Sequence, residues 1–246
     1  MNKRRLWALP LLLTLATVAL PIVTKAEVVV GTVDDGNFDP FGFWNDTGSY
    51  QQVYSATAFS GSIDISSLTF YLYSDPRGGN GNALQPGPYS IYLSTTSKAV
   101  NGLGSTLEDN IGADETLVYV GTPPGEMTVG SQGAFTFSLS TGFLYNPAAG
   151  NLLLTITNQT RGNPISAATY LEADDSGSLM SRGLNNNALS ASNSLLDNDG
   201  LVTGFNVVPA PEPPTLWLFV CVICGLGVVR FRDRSLRRSP DVQALT

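Results

Sequence analysis

The chain has 246 residues, of which 43% are hydrophobic and 13% charged, with a formal net charge of −7, no histidine and two cysteines. Between residues 27 and 212, 18 acidic side chains stand against four basic ones, Arg77, Lys98, Arg161 and Arg182. Nucleic-acid binding needs clustered Lys and Arg and is excluded, as are Ser-His-Asp, Cys-His and imidazole–zinc chemistries, which need histidine.

Lys3, Arg4 and Arg5 precede an apolar stretch at 6–23, and Thr24-Lys25-Ala26 follows it. A charged start, a hydrophobic middle and a small residue at the cut read as a secretory signal peptide over 1–26. Residues 27–208 read as an all-β ectodomain, an antiparallel β-sandwich or jelly roll. Short runs rich in β-branched and aromatic residues predict strands at 53–59, 68–73, 89–93, 117–120, 134–139 and 152–157. In Phe135-Thr136-Phe137-Ser138-Leu139 the period of two puts one face on a core and the other in water. Turn formers such as Thr122-Pro123-Pro124-Gly125 and Asn146-Pro147 separate the runs. From 161 to 199 Ser, Asn, Asp and Gly weaken the signal, and further strands are expected at 168–171 and 201–208. The region carries no cysteine, because Cys221 and Cys224 both lie near the C-terminus.

Residues 209–213 form a proline-stiffened linker. The next segment, 214–231, reads as one short transmembrane helix around an uncharged run at 216–229. That run has 14 residues, short against the ~20 that span a bilayer. It is apolar on every side, however, and a basic tail at 232–246 follows it, as the positive-inside rule requires of a cytoplasmic flank. Arg230, Arg232, Arg234, Arg237 and Arg238 would hold that flank, with Arg230 snorkelling.

Pro211-Glu212-Pro213, the short apolar helix and the arginine-rich tail together resemble the PEP-CTERM sorting domain. The resemblance implies recognition by an exosortase, a membrane-embedded relative of cysteine transpeptidases in Gram-negative bacteria that make extracellular polysaccharide. Pro211, Glu212 and Pro213 would be the recognised residues. It also implies an exported precursor held in the inner membrane and a product on the cell-envelope surface or in the extracellular, biofilm-type matrix. Tyr50-Gln51-Gln52-Val53-Tyr54 and Gly150-Asn151-Leu152-Leu153-Leu154 resemble the β-rich ectodomains often joined to this anchor, which adds a fold and no reaction.

Paired carboxylates could hydrolyse glycosides without histidine. Asp34, Asp35, Glu108, Asp114, Glu115 and Glu172 are available, but none stands out. Asp35, Asn37 and Asp39 place oxygens at alternate positions and are weak candidates for a structural Ca2+. Pro40 stands where a calcium loop needs glycine, so a solvated acidic turn is the plainer explanation, and Asp197-Asn198-Asp199-Gly200 is another such turn. Phe38, Phe41, Phe43, Trp44, Tyr50 and Tyr54 crowd one segment and read mainly as core. Trp44, beside Asn45 and Asp46, is the one candidate ligand platform. The expectation is a non-enzymatic, exopolysaccharide-associated surface protein with the bilayer and an exosortase as partners. The alternative is a carbohydrate-binding or adhesive module acting near Trp44.

Overall fold

Alternation along the chain becomes sheet structure wherever one face can be buried. The computed structural model describes residues 26–42, 48–74, 84–85, 87–123, 133–158, 169–185 and 189–209. The proposed signal sequence before Ala26, Trp44, the Pro211-Glu212-Pro213 motif, the apolar run and the five tail arginines lie outside them.

Among the described residues thirteen strands follow in order: β1 (Ala26–Val30), β2 (Asp35–Asn37), β3 (Ser49–Tyr54), β4 (Ile63–Tyr71), β5 (Tyr89–Thr96), β6 (Thr116–Gly121), β7 (Ala134–Tyr145), β8 (Asn151–Asn158), β9 (Leu171–Asp174), β10 (Met180–Asn185), β11 (Leu195–Asp197), β12 (Gly200–Leu201) and β13 (Thr203–Pro209). All strand pairings are antiparallel. The strands form a four-stranded sheet, β1-β13-β4-β7, a six-stranded sheet, β11-β10-β3-β8-β5-β6, and a small sheet, β12-β9-β2. No α-helix occurs among the described residues, which carry two 3-10 turns at Ala56–Ala58 and Leu107–Asn110.

The two larger sheets share one apolar core. At its centre Phe41, fully buried, lies 5.1–5.4 Å from the rings of Phe70, Tyr89, Phe135 and Phe137. These rings come from β4, β5 and β7, so one side chain on the turn after β2 ties both sheets together. Edge-to-face and tilted ring pairs at this spacing add to the area they bury. Tyr54 on β3 meets Phe205 on β13 edge-on at 5.0 Å, a second link between the sheets. The Phe41 turn is held by Gln85 N–H on the Phe41 carbonyl (2.6 Å) and Thr169 N–H on the Gly42 carbonyl (2.7 Å). Position 42 admits only glycine, because a Cβ there would lie 1.7 Å from the Thr169 carbonyl oxygen.

β3 is buried on both faces, which explains its mixed sequence. Tyr50, Gln52 and Tyr54 face inward, while Gln51 and Val53 face a loop laid over the outer side of the six-stranded sheet. There Val53 packs with Leu103 and Leu153. Gln51 donates to Thr155 Oγ1 (3.2 Å) and accepts from Asn110 Nδ2 (2.9 Å). Buried polar groups are tolerated when each finds such a partner.

Several strand boundaries differ from the sequence expectation. The strand expected at 53–59 ends at Tyr54, because the chain must turn to reach the other sheet; Ser55 Oγ caps the Ala56–Ala58 turn and Phe59 enters the core. The strand expected at 68–73 begins earlier, at Ile63, and those at 134–139 and 89–93 run on to Tyr145 and Thr96. The strand expected at 168–171 is β9, Leu171–Asp174, and the one at 201–208 is split at Val202 into β12 and β13. β1, β2, β10 and β11 were not anticipated. Three of them are polar, short or interrupted by glycine, and are held by neighbours and not by their own pattern.

Phe41→Ala should lower unfolding stability by about 3–5 kcal/mol. Gly42→Ala should be at least as damaging, since backbone must move to admit the methyl group. Urea denaturation followed by far-UV circular dichroism checks both.

Candidate functional site

The turn after β2 and the link from β11 to β12 meet at one end of the domain, and the common partner of their aspartates is Arg182. β10 places Arg182 between Gln52 on β3 and Asp197 on β11, its register partners. The guanidinium donates from Nε to Asp197 Oδ1 (2.7 Å) and from Nη2 to Asp197 Oδ2 (3.2 Å), a bidentate fork. Nη2 also donates to Asp199 Oδ2 (3.0 Å), and Nη1 reaches Asp39 Oδ2 (3.5 Å). The Arg182 side chain is only 8% exposed.

The acidic turns singled out in the sequence are therefore brought together, around a cation that the chain itself supplies. Asn37 donates to the Asp199 carbonyl (3.0 Å) and accepts from Asp39 N–H (2.9 Å), so it braces the turn. Asp35 accepts from Gly36 N–H (2.7 Å). Among the described residues, no group of three or more His, Cys, Asp or Glu is arranged to hold a metal ion. Asp174 takes Thr32 N–H (2.8 Å) and Ser176 N–H (2.9 Å), and Asp34 takes Asp175 N–H (3.0 Å). Behind them Gln52 clamps Leu201 by both amide atoms, each at 2.8 Å, and accepts from the Tyr50 hydroxyl. No motif in the sequence marks Arg182 as the centre of this network. Its signal was available: it is one of the four bases in an acid-rich region.

Seven aspartates and one arginine set the electrostatics. Burial pushes the Asp199 carboxyl from its ordinary 3.8 up to about 6, with Arg182 opposing and Asp197, Asp35 and Asp175 reinforcing. Its Oδ1 is buried with no hydrogen-bond partner among the described residues. Asp175 is raised chiefly by Asp34. For Asp174 burial acts upward but is outweighed by hydrogen bonds from Ser176 and Thr32, so its carboxyl is lowered. Beside the network a pocket of about 160 Å3 is lined by residues that include Asn101, Leu103, Ser181, Arg182, Leu196 and Asp197. That is small against the 300 Å3 or more of typical ligand sites.

A second grouping lies on the outer face of the small sheet. Gly36 and Glu172 are register partners on β2 and β9. A Cβ on Gly36 would lie 2.3–2.9 Å from Cδ1, Cε1 and Cγ of Tyr73. Such similar distances to three bonded ring atoms mean that Tyr73 lies face-down on the glycine. Phe38 meets Tyr170 edge-on at 5.6 Å, and Tyr73 N–H bonds the Tyr170 carbonyl (3.0 Å). Phe38, Tyr73, Tyr170 and Glu172 are all partly exposed. Of the other acids weighed for glycoside hydrolysis, Asp114 accepts Thr95 N–H (2.7 Å), and Glu115 is raised by burial.

Folded Asp199 binds its proton more tightly than the unfolded chain does, so stability should fall as pH rises from about 4 to about 7, by an amount that solvent screening of this partly exposed carboxyl holds to the order of 2 kcal/mol. Asp174 acts oppositely, and its contribution is lost only as pH drops below the ordinary carboxylate range. Asp199→Asn should flatten the fall between pH 4 and 7 in a series of melting curves. Arg182→Met should cost about 3–5 kcal/mol at pH 7 by leaving carboxylates unpaired, with part recovered near pH 4.5.

In comparisons with known proteins, no family model, no curated protein and no solved structure matches this chain.

Proposed function

We propose that the chain is an exported bacterial surface or matrix protein whose displayed part is a non-enzymatic β-sandwich, sorted through Pro211-Glu212-Pro213 and the apolar run behind it. The observation that supports this reading is how near a paired strand comes to the motif. β13 reaches Pro209, and Ala210 alone stands between Pro209 and Pro211. Among the described residues the apolar core is supplied by side chains between Val30 and Val207, from strands and turns that precede the motif. A sandwich fits the six- and four-stranded sheets, which share that core. The partners are then an exosortase-type transpeptidase and the bilayer, with extracellular polysaccharide as the surroundings. Arg230, Arg232, Arg234, Arg237 and Arg238 are the cytoplasmic anchor of the precursor.

Intact mass of the protein from cells and medium tests the reading. The wild type should lack 1–26 and the segment beyond the motif, and replacement of Pro211, Glu212 and Pro213 together by alanine should retain the C-terminal segment. Recovery of the full 246-residue mass from the wild type would refute it.

The grouping of Phe38, Tyr73, Tyr170 and Glu172 favours a second reading, a carbohydrate-binding module. A tyrosine ring lying flat on a glycine offers its outer face to the C–H face of a pyranose, and Glu172 beside it can accept from hydroxyl groups. This places the platform on residues other than Trp44. Affinity electrophoresis through immobilised polysaccharide should retard the wild type, and Tyr73→Ala and Glu172→Gln should each abolish most of that retardation without lowering the melting temperature. Equal mobility of all three proteins counts against it.

A further inference from the structure

β1 and β13 are antiparallel neighbours, with Ala26 opposite Val207 and Val30 opposite Thr203. The chain therefore enters the domain and leaves it at the same end of the same sheet. Pro209 lies opposite Ile63, and Ile63 opposite Tyr145, so these residues mark that end. From Pro209 to the uncharged run at 216 there are six residues, three of them proline. Fully extended, they reach about 20 Å. At the N-terminus only Thr24 and Lys25 separate Ala26 from the other apolar run.

The opposite end of the domain lies along β13 from Pro209 to Thr203, six strand rises or about 20 Å away. Beyond Thr203 come Leu201, the Asp199 turn and Arg182. Beyond Phe70, which is opposite Thr203, come Leu72 and Tyr73. Both groupings of the preceding subsections thus share the end opposite the one where β1 begins and β13 ends. Charge points the same way, because an end carrying Asp34, Asp35, Asp174, Asp175, Asp197 and Asp199 gains nothing from anionic headgroups. The near end carries Leu144, at 66% the most exposed large apolar side chain described, on the edge strand β7 opposite Asp64 of β4.

We infer that the domain stands end-on to the bilayer, with the Ile63–Tyr145 end facing lipid and the end bearing Arg182, Tyr73 and Glu172 facing outward. This rests on reading 216–229 as a membrane segment. It is insensitive to whether the N-terminal run is removed, because either run alone, or both together, tether the same end. Ligands that meet the protein from outside the cell encounter the acidic and aromatic end first.

Energy transfer to headgroup-labelled lipid tests the inference on the full chain in phosphatidylcholine vesicles, with acceptor dye in both leaflets. Cys221→Ala and Cys224→Ala clear the background, and donors are attached to Ser62→Cys at the near end or Thr32→Cys at the far end, both exposed positions. Ala148→Cys and Val33→Cys repeat the pair if either first variant misfolds. Transfer from the near-end label should exceed that from the far-end label several-fold, since they differ in height by about 25 Å. Equal or reversed transfer on protein that floats with the vesicles overturns the end-on arrangement alone. Protein that fails to float overturns the membrane reading and this inference with it.

Discussion

A single guanidinium makes the outer end of this domain foldable. Arg182 is bonded to Asp39, Asp197 and Asp199, which arrive from two segments far apart in sequence, the turn after β2 and the link from β11 to β12. Without a cation those carboxylates could not be brought together in a partly buried site, because like charges at short range disfavour ionisation and burial adds to the cost. The arrangement is not fully neutralised: burial, reinforced by Asp197, Asp35 and Asp175 against Arg182, pushes the Asp199 carboxyl up to about 6. The same network reaches inward, since Arg182 lies opposite Gln52, and Gln52 clamps Leu201. The small sheet is thereby fixed to the six-stranded one.

At the middle of the molecule the constraint is apolar. Phe41 sits among four rings from three strands of two sheets, and the turn that delivers it leaves no room for a side chain at position 42. Rigid aromatic packing of this kind suits a domain without disulfides, whose stability must come from buried area. The pairing of β1 with β13 then sets where both chain ends emerge, which ties the internal packing to how the domain is presented.

The acidic network and the aromatic grouping differ in what they leave open to solvent. The carboxylates with the most perturbed surroundings are spent on Arg182 and on backbone donors, and the adjoining pocket is small. The partly exposed rings over β2 and β9 are instead on the surface, where a flat, sequence-tolerant contact with a polymer can form.

By itself the sequence determined the all-β class, because period-two runs such as Phe135-Thr136-Phe137 must bury one face, and Phe135 and Phe137 do lie in the core. It also determined the exclusion of histidine chemistry, the acid-rich middle region and the terminal apolar runs, all of which are properties of composition and local order. It could not disclose β2, β10 or β11, whose short polar or glycine-broken segments become strands only when neighbouring strands supply hydrogen bonds. Nor could it show that Asp39, Asp197 and Asp199 converge on Arg182, or that Tyr73 lies on Gly36, since those contacts join residues up to 143 positions apart. Tertiary structure decided both, for a physical reason: the partner that satisfies a buried charge or covers a glycine is chosen by sheet register, and register depends on the whole core.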